Sequence, residues 1–231
     1  MNDEYIALRN VTRRYTRSGS ELAAINDVSL GICEGAFVGI VGHSGAGKST
    51  LLNVIGGLDR PSSGSVTVGG TELVSLDETG LAVYRRETVG FVFQEANLVP
   101  ALTVFENVML PLVPLPGGEA EKAERVESAL QEVNIDHRAS HLPGELSGGE
   151  QQRAAVARAV VNDPDIVLAD EPTGELDADN AGRILDLLRR LNDQGRTVLI
   201  ASHDADTIAA TESVFRLQEG ELVNEETHAE A

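Results

Sequence analysis

The sequence predicts an α/β fold: a mixed, largely parallel sheet entered through an antiparallel β layer, with an inserted helical segment. Three observations predict it. The apolar run Phe37–Val41 leads straight into a glycine-rich loop that opens a helix. Two later apolar runs, 166–169 and 197–201, flank a segment with Ile184, Leu187, Leu188 and Leu191 on one helical face, the alternation of a parallel sheet covered on both sides. The first third alternates short strand-like runs (5–10, 28–32, 65–68) with glycine turns, as an antiparallel layer does.

The glycine loop carries the most chemistry. It reads Gly42-His43-Ser44-Gly45-Ala46-Gly47-Lys48-Ser49-Thr50, the pattern G-x-x-x-x-G-K-[ST] between a strand and a helix. Gly42, Gly45 and Gly47 let backbone N–H groups wrap an anion, where side chains would block the approach or forbid the backbone angles. Lys48 supplies a mobile cation for outer phosphates, and Ser49 offers a hydroxyl to a magnesium ion. A helix starting near Lys48 and running through 50–55 points its positive end at the same anion. The expected ligand is a nucleoside triphosphate. A guanine base is disfavoured, because neither lysine of the chain follows an asparagine as Asn-Lys-x-Asp readers require.

Hydrolysis needs a carboxylate for the metal and another for water. Asp170 and Glu171, at the carboxyl end of the run 166–169, are the candidates: Asp170 to orient the magnesium shell, Glu171 to polarise the attacking water. A second anion cradle follows from Leu146-Ser147-Gly148-Gly149-Glu150, where Ser147 is a good N-cap and the glycines bare the backbone. One γ-phosphate cannot easily occupy two such cradles in one compact chain. A head-to-tail, two-fold dimer, each cradle closing over the partner's nucleotide, resolves the conflict.

The remaining elements are bland by comparison. Residues 119–133, with Ala123, Val126, Leu130 and Val133 among glutamates, predict an exposed amphipathic helix. A second, alanine-rich helix is expected over about 150–161, apolar nearly all round. No repeat, low-complexity tract or long linker interrupts the chain, and the polar segment from about Glu225 to Ala231 reads as a disordered tail.

Composition narrows the classes of function. With 37 acidic against 18 basic residues the formal charge is −19, which argues against nucleic acid or an anionic lipid surface as the main partner. Codon bias would explain why only Lys48 and Lys122 are lysines, but not the surplus carboxylates, so a salt-adapted cytoplasm is the preferred reading. The apolar runs are strand-length and the run near Met109 is broken by Pro111, Pro114 and Pro116, so no membrane insertion is expected, and no signal-peptide pattern is read at the N-terminus. The single cysteine, Cys33, excludes an internal disulfide and reads as a small core hydrophobe.

Together the motifs resemble those of the ATP-binding-cassette (ABC) ATPases over almost the whole chain, Leu-Ser-Gly-Gly-Glu matching the family's signature. The resemblance implies a P-loop ABC ATPase core, one domain over 1–231, with an N-terminal antiparallel β subdomain and a helical signature subdomain at about 95–160. It implies ATP and Mg2+ as cofactors and further roles. Gln94 matches the Q-loop glutamine, a magnesium ligand that senses the membrane partner. Asp177 matches the D-loop aspartate that communicates across the dimer, and His203 the switch histidine on the γ-phosphate. Tyr15 is the candidate for the aromatic that stacks on adenine, an ordinary strand-edge tyrosine being the alternative.

Residues 91–94, 97–100, 102–108 and 171–174 are similar to the lipoprotein-release and macrolide-export (MacB-like) subfamily, from which Glu175 departs in place of asparagine. The implied role is the ATP-binding subunit of a transporter. It would drive a separate transmembrane permease, in export or extraction, from a cytoplasmic, peripheral position at the inner face of the membrane. The Pro-interrupted stretch 110–116 would dock the permease. The alternative is a non-transport ABC ATPase with an assembly or regulatory role.

Overall fold

A computed structural model describes residues 4–17 and 20–227. Strands β1 (Glu4–Arg17) and β2 (Ser20–Cys33) pair antiparallel, then β3 (Phe37–Val41) leads through the glycine loop into helix α1 (Lys48–Ile55). Strands β4 (Ser63–Val68) and β5 (Thr71–Glu72) return to the antiparallel layer, giving a four-stranded sheet of order β2-β1-β4-β5. Its inward face is set by cross-strand apolar pairs: Ile6 opposes Ile32 and Val68, and Leu8 opposes Leu30 and Val66, all buried.

Helix α2 (Glu78–Glu87) and strand β6 (Val89–Val92) precede the helical segment of α3 (Val104–Met109), α4 (Glu119–Glu132) and α5 (Gly148–Val160). The chain then alternates β7 (Ile166–Asp170), α6 (Ala178–Asp193), β8 (Thr197–Ser202), α7 (Ala205–Ala210), β9 (Ser213–Gln218) and β10 (Glu221–Thr227). The second sheet has six strands in the order β10-β9-β3-β8-β7-β6, parallel except for β10. Every residue of β3 and β8 is buried, because layers cover both faces. One apolar core lies between the antiparallel layer, α1 and one face of this sheet. The other joins its opposite face to α3, α4, α5 and α6 through residues such as Val108, Val126, Leu130, Val156, Val167 and Leu188.

Several boundaries differ from the sequence reading. Strands β1 and β2 each run 14 residues, far beyond the short runs expected. Their pairing shifts register near Asn10 and Asp27, both with positive φ (50° and 53°) and joined Nδ2 to Oδ1 at 2.9 Å. Such bulges break the period-2 alternation on which strand recognition rests. Cys33 is exposed at the end of β2 rather than buried in the core. Residues 225–227 are not the disordered tail expected of them: they pair with 213–215 as the end of β10, an edge the polar composition concealed. Residues 228–231 lie outside the described residues. Among the described residues no helix is long and apolar enough to cross a membrane.

Candidate functional site

The glycine loop sits at the carboxyl end of β3, at the centre of the six-stranded sheet. Gly42 is required by space: a Cβ there would stand 2.4 Å from the Leu217 carbonyl oxygen. Gly47 is required twice over, by φ of 107° and by the Ala24 carbonyl oxygen 2.3 Å from any Cβ. Gly45 also takes a positive φ (80°), but with open space around it, as befits the lip of a cradle. Ala46 is fully buried beneath the loop, whereas His43 and Ser44 are exposed, His43 Nδ1 lying 2.8 Å from the Ser44 carbonyl. Helix α1 starts at Lys48 with Gly47 as its N-cap and no side chain capping it, so its first N–H groups, Ser49 and Thr50 included, face the loop interior.

Lys48 is almost fully buried. Its Nζ donates to the Gly42 carbonyl at 2.9 Å and to the His43 carbonyl at 3.4 Å, and pairs with Glu171 Oε1 at 3.1 Å. Glu171 in turn lies 3.0 Å from His203 Nδ1 through both carboxylate oxygens. Three expected residues from three segments therefore meet directly, Glu171 standing between the two bases. Its placement is built into the backbone. Glu171 adopts φ of 48°, its N–H donates to the Ala201 carbonyl at 2.9 Å, and its own carbonyl accepts from Gly174 at 3.0 Å. That pins it to the end of β8, two residues before His203. A cavity of about 420 Å³ opens here, lined by Glu171, Thr173, Gly174, Ser202, His203 and Asp204.

Asp170 ends β7. Burial pushes its carboxyl above the ordinary aspartate range, while the Ser49 hydroxyl and the Lys48 ammonium pull it back. Its Oδ1 is buried and, among the described residues, has no hydrogen-bond partner. An orphaned carboxylate oxygen beside a serine hydroxyl is the donor chemistry of a hard divalent cation such as Mg2+. Gln94 is exposed in the segment after β6 and reaches the same region: a Cβ on Gly174 would lie 3.4 Å from Gln94 Nε2. No cluster of three or more His, Cys, Asp or Glu side chains able to hold a metal occurs among the described residues.

Tyr15 lies near the far end of β1, opposite Leu22 and two residues along from Ala24, whose carbonyl abuts Gly47. Its hydroxyl donates to Asp59 Oδ2 at 2.6 Å, and the Arg13 guanidinium lies 4.6 Å from the ring centroid. Arg13 also grips Asp59, Nε to Oδ2 at 2.9 Å and Nη2 to Oδ1 at 2.7 Å. Asp59 follows α1, its N–H bonded to the Asn53 carbonyl at 3.1 Å, so the tyrosine is tied to the same helix that begins at the glycine loop. Sequence reading missed Arg13 and Asp59, because no local pattern joins residues 46 positions apart.

The second cradle is built differently. Ser147 caps α5, accepting from the Glu150 N–H at 3.3 Å, while Glu150 Oε2 accepts from the Ser147 N–H at 2.8 Å and its hydroxyl at 2.9 Å. The bond from the Ser147 backbone is the main reason the Glu150 carboxyl falls to about 2. Arg138, at 2.9 Å from Oε1, adds to it. Gly148 and Gly149 open the first turn. A Cβ on Gly149 would stand 2.5 Å from Asn180 Oδ1, and Asn180 caps back onto Asp177: its N–H donates to Oδ1 at 2.9 Å and its Nδ2 to Oδ2 at 2.8 Å. These bonds hold the Asp177 carboxyl below its ordinary range. Ser147, Gly148, Gly149 and Glu150 thus gather with Asp177. Among the described residues no hydrogen bond or ion pair joins them to the glycine loop.

Two residues of α5 to which the sequence assigns no role tie this helix to the backbone on either side of Gln94. Gln152, buried, donates to the Phe93 carbonyl at 2.8 Å, and Arg158 donates to the carbonyls of Ala96 and Asn97 at 2.8 and 2.6 Å. Glu175, the departure from the subfamily pattern, is exposed in the loop before α6.

Residues 25–174 match the ABC transporter family. The chain is 42% identical over 231 residues to the macrolide export ATP-binding/permease protein MacB of Hyphomonas neptunium, covering all of this chain but 36% of the relative. It spans about a third of the length of such relatives. An uncharacterized ABC transporter ATP-binding protein of Methanocaldococcus jannaschii, MJ0796, is 44% identical over 226 residues, with 96% of both chains covered. The dimeric post-hydrolysis structure of the MJ0796 cassette bound to ADP and Pi superposes with a TM-score of 0.91, at 41% identity over 98% of this chain and 100% of that one. CbiO1 of Clostridium perfringens, part of the cbiONQ transporter complex, gives 0.87 at 29% identity, over 98% and 89%.

Proposed function

Since the chain belongs to the ABC transporter family, we propose that two copies of it close head to tail over two ATP molecules and drive a membrane permease through cycles of closure and hydrolysis. The cassette itself is an ATPase. The observation that carries the dimeric reading is the separation of the two cradles: the glycine loop gathers Lys48, Glu171 and His203, while the signature turn gathers with Asp177 elsewhere on the same chain. A partner's signature turn completes the site, as the dimeric state of the similar MJ0796 cassette supports.

In this reading residues 42–50 cradle the phosphates and Tyr15 presents its ring to adenine. Lys48 leaves Glu171 for the outer phosphates, trading one anion for another without exposing its charge. Glu171, released, accepts a proton from the attacking water, and His203 steadies the γ-phosphate. Ser49, Asp170 and Gln94 would hold Mg2+, whose chemistry is to neutralise charge developing on the phosphates. Gly148 and Gly149 would offer their N–H groups across the seam, and the Ser147 hydroxyl would leave Glu150 Oε2 for the partner's phosphate, with the Ser147 backbone bond to Glu150 and Asp177 fixing the shape of the turn.

The domain comprises the whole chain, with residues about 95–160 as the helical signature subdomain. Between that subdomain and the sheet, a cleft of about 580 Å³ lined by Arg85, Phe91, Phe93, Pro111, Pro114 and Arg158 would receive a cytoplasmic helix of the permease, expected on a separate chain. Through Arg158 and Gln152 that cleft communicates with Gln94 and α5. The cassette would then sit on the cytoplasmic face of a membrane, held through the permease without inserting itself. Export or extraction follows from the likeness to macrolide exporters. The acidic surface suits a salt-rich cytoplasm, and a melting temperature that fails to rise with molar KCl would remove that part.

Glu171→Gln tests the catalytic assignment. It should bind ATP and dimerise while hydrolysis falls by about 10²–10⁴-fold. Wild-type turnover in this variant would reject Glu171 as the base.

A further inference from the structure

A third site stands apart from the nucleotide cradles. A cavity of about 300 Å³ is lined by Asn134 at the end of α4, by Arg153 of α5, and by Arg183, Asp186 and Arg190 of α6. We propose that this cavity binds a small oxyanion, phosphate or carboxylate, held by the three guanidinium groups.

The charge pattern carries the argument. In a chain whose acids outnumber its bases 37 to 18, an arginine ordinarily finds a carboxylate or carbonyl. Most described arginines do so: Arg13 with Asp59, Arg60 with Glu78, Arg138 with Glu150, Arg189 with Glu212, and Arg85, Arg125 and Arg158 with backbone carbonyls. Among the described residues, Arg153, Arg183 and Arg190 make neither an ion pair nor a side-chain hydrogen bond, and all three line the same cavity. Arg153 Nε is moreover fully buried without a partner, a donor withdrawn from water and left unbonded. Burial, and after it the nearby Arg183 charge, lower the Arg153 guanidinium from its ordinary value, with Glu150 opposing, so the cluster lacks sufficient countercharge.

The anionic groups nearby are already engaged. Glu150, which attracts Arg153, is held by Ser147 and Arg138. Asp177, which feels Arg183, is held by Asn180. Asp186 supplies the single carboxylate of the lining, against three guanidiniums. A cavity of this size admits a tetrahedral oxyanion or a short carboxylate, and planar guanidinium forks match either. Its position gives the ligand a lever. Arg153 lies one turn beyond Glu150, and Arg183 one turn beyond Asn180, so an anion bridging them would clamp α5 to α6 directly behind the signature turn and the Asp177 cap.

The test must keep the anion out of the glycine loop. In the Glu171→Gln chain saturated with Mg-ATP, the phosphate positions there are filled. Titration of that protein with inorganic phosphate, and separately with succinate, by calorimetry should reveal one saturable site for at least one of them. Phosphate alone would mark a phosphate ligand and succinate alone a carboxylate. Adding Arg183→Gln and Arg190→Gln, both on exposed side chains, should weaken that binding at least about tenfold, while Arg183→Lys with Arg190→Lys retains part of it. ATP affinity, read in parallel, should be unchanged and certifies that the variants are folded. Absence of saturable binding of either anion, or equal affinity in the parent and the double glutamine variant, would overturn the proposal.

Discussion

The two helix starts that bear the motifs, α1 after the glycine loop and α5 after Ser147, solve the same problem in opposite ways. Each must satisfy N–H groups with no partner inside the helix. Helix α1 leaves them open: its cap is Gly47, which has no side chain to offer, and its first turn carries the cation Lys48 and no acidic residue. Helix α5 fills its own: Ser147 and Glu150 form a complete capping box, and the Glu150 carboxylate stands at its positive end. The first start is therefore open to an external anion, while the second is capped from within its own chain. The difference fits the division of labour proposed above, one cradle for the nucleotide of its own chain and the other a face presented to the partner's.

Breaking the open cradle should do the most damage. Lys48→Ala removes the cation for the phosphates and leaves Glu171 with only one of its two partners, His203. ATP turnover is expected to fall by at least about 100-fold, measured as phosphate release at saturating ATP. Glycine substitutions separate the two starts next. Gly47→Ala meets a backbone carbonyl at 2.3 Å in a left-handed conformation and should cost about 3 kcal/mol in denaturant unfolding. Gly149→Ala, at a residue without positive φ, meets the Asn180 side chain (Oδ1 at 2.5 Å, Cγ at 2.7 Å, Cβ at 3.2 Å) rather than a backbone carbonyl. Its stability loss should be smaller, with its effect falling on turnover instead. Equal stability losses would mean the two turns are equally constrained.

Ser147→Ala removes the cap of α5 and should lower stability by about 1 kcal/mol. The smallest effect is the pH dependence. The folded carboxyl of Glu150 lies at about 2, below the ordinary glutamate value of 4.5, so its stabilising contribution is full above pH 4.5 and drains as pH falls towards 2. Ser147→Ala removes the hydroxyl bond and keeps the backbone one, so that carboxyl should rise only in part and the acid limb of the melting-temperature profile should move slightly to higher pH. An unshifted acid limb would show that the Ser147 hydroxyl has no share in this titration.

The glycine loop, the signature turn and the buried strands β3, β7 and β8 were legible because each rests on a local pattern: glycines at fixed spacing, an N-cap with a carboxylate three residues on, or an apolar run. What escaped was non-local or irregular. Bulges at Asn10 and Asp27 hid two long strands, α2 and β10 are polar, and α7 spans only six residues, too few to show a periodicity. That Lys48, Glu171 and His203 touch could not be read, since it depends on sheet order β3-β8-β7 and on the left-handed turn at Glu171. The same holds for Asn180 beneath Gly149 and Asp59 behind Tyr15, whose partners are chosen by packing alone.

The central claim is tested most directly by the mass in solution of the Glu171→Gln chain under saturating Mg-ATP, measured by light scattering beside the nucleotide-free protein. Two chains per particle with ATP, and one without, is the predicted result. A single chain in both conditions would contradict the account.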